Sequence, residues 1–91
     1  MAQSHIPSHR KIAMARLKAF KPDSITDSRK KTGMNQQAYW SRFGVTQSGG
    51  SRYETGRDIP TPTSMLIWLL ETGRISDQDL ADALKVVEAA R

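Results

Sequence analysis

The residues that could carry catalytic or metal chemistry are few and scattered in this 91-residue sequence. The chain has no cysteine, and its two histidines, His5 and His9, both precede residue 10, so no later histidine completes a ligand set. Three acids, Asp77, Asp79 and Asp82, are spread around one predicted helix instead of converging on one point. No Ser/His/Asp set, Cys/His set or glycine-rich phosphate loop is present. The sequence therefore predicts no enzyme, no metal site and no cofactor.

The basic residues are concentrated at the N-terminus. The chain has a formal net charge of +5. Residues 1–21 contain five bases and no acid, namely Arg10, Lys11, Arg16, Lys18 and Lys21. The rest of the chain contains as many bases as acids, so the whole excess belongs to a basic N-terminal arm or helix, residues 1–21. Such a segment suits a nucleic acid, an anionic membrane or solvent alone, and the charge by itself leaves these open.

The apolar residues predict one small soluble domain. They make up 37% of the chain, and their longest nearly continuous run, Met65 to Leu70, is far shorter than the roughly 20 residues of a membrane helix. The N-terminus has no apolar segment of the signal-peptide kind. We therefore expect a cytoplasmic protein that contacts no membrane.

Capping residues and glycines at regular intervals predict an all-α fold, a compact bundle of four to five short helices. The predicted helices run from Asp23 or Ser24 to Lys31, from Asn35 to Gly44, from Thr46 to Glu54, from Thr61 to near Gly73, and from Ser76 to Ala90. An earlier segment, Ser8 to Phe20, is either a further helix or a mobile arm. No stretch alternates in polarity like a strand.

Two of the predicted helices are separated only by Gly44 and Val45, which is typical of a helix-turn-helix whose second helix enters the major groove of DNA. The surrounding sequence resembles the lambda-repressor-like family, the Cro and phage-repressor (XRE) type of prokaryotic transcription regulators. The matching residues are Gln36, Gly44, Thr46-Gln47-Ser48, Ser51-Arg52-Tyr53-Glu54 and Gly56-Arg57, and the resemblance covers about residues 24–72. It implies a helix-turn-helix domain over residues 22–75 and a regulator, expected to be a repressor, that binds a double-stranded DNA operator.

Two residues depart from the family pattern. Trp40 stands where the family usually has alanine, and Gly50 stands where it usually has isoleucine or valine; the resemblance implies that these positions face each other. A large ring opposite a glycine keeps the total side-chain volume of the two positions nearly unchanged, and cores tolerate such a paired change better than either change alone. We therefore interpret Gly49-Gly50 as part of a helix and not as a flexible loop.

The expected DNA contacts follow from this register. We call the second helix of the pair the recognition helix. If Gly50 and Tyr53 face inward, the opposite stripe of this helix carries Gln47, Ser48, Ser51 and Arg52. Glutamine can bond an adenine edge through two atoms, arginine can bond guanine likewise, and serine bonds several bases. These four residues are the predicted base-reading set.

A second set is expected to contact the DNA backbone: Asn35, Gln36, Arg42, Thr46, Arg57 and Arg29. The resemblance implies that Gln36 bonds a phosphate and braces Gln47, and that Arg29 and Glu54 form a partly buried ion pair. Asn35 lies where helix N-terminal amides favour phosphate. Arg42 and Arg57 are either backbone contacts or unpaired surface charges.

The apolar residues of the remaining helices predict a core and a dimer interface. The predicted core consists of Tyr39, Phe43, Tyr53, Met65, Leu66 and Leu69, and Trp68 is either core or an exposed anchor. The C-terminal helix, residues 76–91, has Leu80, Leu84 and Val87 on one face, which would join two copies into a homodimer or pack onto the hairpin. The alternative function is an antitoxin-type regulator that also binds a toxin protein, for which residues 1–21 could serve.

Overall fold

Residues 17–91, the part of the chain that the computed structural model describes, form five α-helices preceded by one turn of 3-10 helix. The 3-10 turn is Pro22–Ser24, and the α-helices are α1 (Ile25–Thr32), α2 (Gln36–Ser41), α3 (Gln47–Glu54), α4 (Thr61–Glu71) and α5 (Asp77–Ala89). These residues contain no strand, so the prediction of an all-α fold is confirmed.

The helix boundaries follow the predicted capping residues. The side chain of Asn35 accepts the N–H of Ala38 at 2.8 Å, and that of Thr46 accepts the N–H of Gly49 at 3.1 Å. Ser76 and Asp79 form the reciprocal capping box at the start of α5. Between α2 and α3, Gly44 has a φ of 73°, a left-handed conformation that a side chain would strain. The caps at Asn35 and Thr46 and the turn at Gly44 fix the two helices of the helix-turn-helix, α2 and α3, which we call the hairpin.

The helix α4 begins at Thr61, as predicted, and its N-cap is Pro60, whose carbonyl accepts the N–H of Ser64 at 2.9 Å. Residues 17–20 are not helical, so the helical alternative for the segment Ser8 to Phe20 does not extend to its end. Pro22 disfavours helical backbone at the preceding Lys21, which is extended. The remainder of that predicted segment, with His5 and His9, lies outside the described residues.

The core is centred on Ile25, Tyr39, Trp40 and Ile67, with Phe43 and Tyr53 packed half-buried against it. On α4 the predicted phase was wrong, because Met65 is 59% exposed whereas Ile67 is 0% exposed. Leu66, Leu69 and Trp68 are half-buried. The rotation of α4 thus places Ile67, which was not predicted, at the centre of its inner face.

The helix α5 is anchored at its first half and exposed at its second. Leu80 is buried and Leu84 half-buried, but Val87 is 54% exposed and Val86 is also exposed. Within residues 17–91, no helix combines the length and the apolar character needed to cross a membrane.

Candidate nucleic-acid interface

The helix α3 presents the predicted polar stripe on its outer face. Gln47, Ser48 and Arg52 are exposed and Ser51 is half-buried, whereas Gly50 is buried against the rest of the hairpin. This orientation agrees with the predicted register. A stripe of amide, hydroxyl and guanidinium groups on an exposed helix has the chemistry needed to hydrogen-bond base edges.

The inner face of α3 is held by the predicted contact between Gly50 and Trp40. The indole of Trp40 is fully buried and lies directly on the glycine. A Cβ atom at position 50 would be only 2.8 Å from the indole Nε1 and closer still to two carbons of the ring. The prediction that Trp40 and Gly50 face each other is therefore confirmed. Because Gly50 has no side chain, the indole ring fits between the two helices, and this contact sets the distance between α3 and α2.

The carboxylate of Glu54, at the end of α3, joins three helices. It accepts hydrogen bonds from Arg29 Nε at 2.8 Å and Nη2 at 3.0 Å, from Trp40 Nε1 at 2.7 Å, and from Gln36 Nε2 at 3.2 Å. The hydroxyl of Thr26 donates to it at 3.2 Å. The side chain of Glu54 is 3% exposed, so the implied ion pair with Arg29 is present and largely buried. The bonds from Trp40 and Thr26 were not predicted.

These contacts keep Glu54 ionised. Although burial alone would raise its pKa, hydrogen bonds from Arg29, Trp40 and Gln36 lower the pKa of Glu54 to about 2. The hydrogen bond to Glu54 raises the pKa of Arg29, against the opposing effect of burial. Both partners therefore remain charged near neutral pH, and the end of α3 is fixed to α1 and α2.

Three predicted backbone contacts lie around the N-termini of α2 and α3. Asn35 and Thr46 are exposed caps of these helices, and Gln36 is half-buried at the start of α2. The amide of Gln36 donates to Glu54 and not to Gln47, so the bracing that the resemblance implied takes a different form. Helix N-termini favour phosphate groups.

The three predicted arginines lie in different environments. Arg57 is exposed just beyond α3. Arg29 donates not only to Glu54 but also to the carbonyl of Met34 at 3.0 Å. Three of its nitrogen atoms are thus already engaged within the protein.

Arg42 is not the unpaired surface charge that was one of its two predicted roles. Its guanidinium lies 4.6 Å from the centre of the Tyr39 ring and 5.2 Å from that of Phe43, and it bonds Asp77 at 2.7 Å. The side chain is 19% exposed. It therefore ties α2 to the start of α5, a contact between residues too far apart in sequence for periodicity to indicate.

Part of the predicted basic arm is described. Lys18 and Lys21 are exposed, and the indole N–H of Trp68 donates to the carbonyl of Lys18 at 2.7 Å. Trp68 thus holds the C-terminal end of the arm against α4. Arg10, Lys11 and Arg16 lie outside the described residues.

The fold and the hairpin define a helix-turn-helix regulator, and comparisons with known proteins agree. The RsaL-like HTH domain family matches residues 26–70, which contain all of α2 and α3 and all but one residue each of α1 and α4. Among solved structures, the chain is similar to the quorum-sensing repressor RsaL of Pseudomonas aeruginosa. The two are 35% identical with a TM-score of 0.64, over 71% of this chain and 97% of that one. A comparison with curated proteins finds no significant match.

The chain belongs to the RsaL-like helix-turn-helix family. The prediction of a DNA-binding transcription regulator of the repressor type is confirmed at this level. The resemblance to lambda-type repressors is confirmed only as membership of the helix-turn-helix regulators.

Proposed function

We propose that the protein represses transcription by placing α3 in the major groove of an operator and reading bases with its outer stripe. The observation that carries this proposal is the division of α3 into two faces. Gly50 and Glu54 fix the inner face to Trp40, while the outer face is polar and exposed. A rigid helix with free polar side chains suits sequence reading.

Gln47 and Arg52 carry most of the proposed specificity. Both are exposed, and neither side chain hydrogen-bonds another residue within 17–91, so their amide and guanidinium groups are available for bases. Ser48 and Ser51 are assigned to less selective contacts on the same stripe.

The backbone contacts are assigned to Asn35, Gln36 and Thr46 near the helix N-termini and to the exposed Arg57. Phosphate contacts fix position and give affinity without reading sequence. Arg29 and Arg42 are given a supporting role instead, because their guanidinium groups already bond Glu54 and Asp77.

The lambda-repressor-like (XRE) arrangement is also part of the proposal. It is supported by the buried pair of Arg29 and Glu54 together with the bond from Gln36, which join the same three helices that the resemblance implied. In this interpretation the Trp40 and Gly50 pair is a local variation of that arrangement. The protein acts in the cytoplasm by binding alone, without catalysis or a cofactor.

The proposed regulator is a homodimer formed through α5, residues 76–91. Leu84 and Val87 continue the apolar face beyond the buried Leu80 and line an open groove with Leu66 and Phe43. A two-fold dimer would present two α3 helices to half-sites about one helical turn, roughly 34–36 Å, apart. The basic residues 1–21 are assigned to phosphate contacts beside the domain.

The proposal is tested first by selecting bound sequences from a random pool of duplexes, which yields the operator and its half-site spacing. Gln47→Ala and Arg52→Ala should then each weaken binding to the selected site by about 1–3 kcal/mol and relax the preference at one base pair per half-site. Arg57→Ala should weaken binding to the selected and scrambled duplexes equally. Gln78→Ala, an exposed glutamine on α5, is the control for Gln47→Ala and should change neither.

Equal losses on the selected and scrambled duplexes for both Gln47→Ala and Arg52→Ala would refute sequence reading by α3. A selected site with a single half-site would refute the dimer.

A further inference from the structure

An open cleft of about 520 Å³ is formed by parts of the domain other than the recognition helix. It is lined by α1, by α2 and by the junction of α4 and α5, and none of its lining residues belongs to α3. Its volume is within the range of roughly 300–1,000 Å³ that is typical of small-molecule sites. A ligand in this cleft would leave the outer face of α3 free.

The hydroxyl of Tyr39 is a buried polar group in the wall of this cleft. The residue is 1% exposed, and its Oη atom has no hydrogen-bond partner within residues 17–91. Burial raises the pKa of Tyr39, and the neighbouring Glu71 raises it further, both by its negative charge and by a hydrogen-bond interaction with the hydroxyl. The hydroxyl is therefore neutral and able to donate, and because no acceptor of residues 17–91 lies within full hydrogen-bond distance, a bound acceptor would recover free energy in competition with the Glu71 carboxylate.

The charges around the hydroxyl favour an anion. Lys18 and Lys31 line the cleft, and neither forms an ion pair with a carboxylate of residues 17–91. Both lysines also line a second recess, together with Lys21 and Glu71. Arg42 is already paired with Asp77, and Glu71 is the remaining acid of the cleft.

The rest of the wall is partly apolar. Leu70 and Ile75, which are half-buried, contribute carbon surface beside the hydroxyl. A combination of apolar wall, cationic groups and one buried hydrogen-bond donor is the usual composition of a site for a small organic ligand.

We propose that this cleft binds a small organic anion, with its carboxylate or phosphate held by Lys18 and Lys31 and an oxygen accepting from the Tyr39 hydroxyl. The apolar part of the ligand lies against Leu70 and Ile75. The negative charge of Glu71 disfavours ligands of high negative charge. Of the proposed binding groups only Lys18 also belongs to the arm assigned to DNA phosphates, and the site does not rest on base reading by α3.

The test is a titration of the full chain followed by two-dimensional ¹H–¹⁵N NMR at constant ionic strength. The probes are benzoate and phenyl phosphate, which share a ring and differ in the anion, with benzyl alcohol as the uncharged control. We expect saturable shifts at the backbone amides of Lys31, Tyr39 and Leu70 with one of the anions, at a Kd of about 1 mM. The probe that binds more tightly, benzoate or phenyl phosphate, identifies the preferred anionic group.

Two variants locate the binding groups. Tyr39→Phe keeps the ring but removes the hydroxyl, so it should weaken anion binding about two- to tenfold without lowering Tm. Lys31→Gln should weaken binding as well, whereas Lys30→Gln should not, because Lys30 is an exposed neighbour on α1 that does not line the cleft.

The proposal is overturned if neither anion gives saturable shifts, if benzyl alcohol binds as well as both, or if the shifts map only to Arg52 and Arg57. It is also overturned if Tyr39→Phe and Lys31→Gln bind the anions like the unmodified chain.

Discussion

Replacing Gly50 with alanine adds one methyl group at the tightest contact of the hairpin. The new Cβ atom would overlap the indole of Trp40, which is fully buried and donates to Glu54 at 2.7 Å. The ring cannot turn away without breaking that bond, so α3 itself must shift.

The size of the effect follows from two opposing terms. Overpacking a core costs about 1–3 kcal/mol, and a clash with a buried, hydrogen-bonded ring belongs at the upper end. Alanine gains roughly 1 kcal/mol over glycine in helix propensity. We therefore expect Gly50→Ala to lower the free energy of unfolding by about 2 kcal/mol in the unmodified chain. Where Trp40 is already alanine, only the propensity term remains, and the same change should raise stability by about 1 kcal/mol.

The assay is a double-mutant cycle of urea unfolding followed by circular dichroism at a helical wavelength, which does not depend on tryptophan fluorescence. Trp40→Ala alone should cost about 3–5 kcal/mol, and Trp40→Leu is the milder background if that variant does not stay folded. Gly49→Ala is the matched control. Its Cβ would lie 3.2 Å from Val45 and 3.3 Å from Thr46, much looser contacts, and its effect should be the same in both backgrounds.

The decisive quantity is the coupling between positions 40 and 50, expected to be about 3 kcal/mol. Effects that add within about 0.5 kcal/mol would show that Trp40 and Gly50 are not in contact, and the assigned faces of α3 would then be wrong.

Two further predictions concern charge. Because the pKa of Glu54 is lowered to about 2 from an ordinary 4.5, its contribution to stability is fully present above pH 4.5 and is lost as the pH falls from 4.5 towards 2. Glu54→Gln should therefore reduce the acid-dependent loss of unfolding free energy measured in urea, and Glu88→Gln, at an exposed position of α5, should not. An unchanged acid slope in Glu54→Gln would contradict the assignment. Deleting residues 1–16 removes Arg10, Lys11 and Arg16 and should flatten the log–log salt dependence of DNA binding by about 0.9 for each phosphate that these residues neutralise. The same slope with and without the arm would mean that these residues do not contact DNA.

The parts of the fold that the sequence predicted correctly depend on local interactions. Asn35, Thr46 and Ser76 cap helices by bonding backbone N–H groups three residues later, so their roles can be read from neighbouring residues. The contact between Trp40 and Gly50 was predictable because one departure from a pattern compensated the other in volume.

The incorrect and missing predictions depend on geometry between distant elements. The run from Met65 to Leu70 is apolar at nearly every position, so periodicity could not show that Ile67 rather than Met65 faces the core. The bond from Trp40 Nε1 to Glu54 depends on the orientation of the ring between two helices. The contact of Arg42 with Asp77 joins residues 35 positions apart, and nothing in the local pattern of either indicates the other.

The separation of the two faces of α3 bears on how this domain can acquire new targets. Gly50 and Glu54 are held by Trp40 and Arg29, whereas the side chains of Gln47 and Arg52 make no hydrogen bond within residues 17–91. Substitutions at the outer positions therefore leave the network of Glu54 intact and change stability little. Divergent copies, or an engineer grafting residues from another repressor, can explore new operators at positions 47 and 52 while the scaffold stays the same. A change at Glu54, by contrast, would require its four partners to change together.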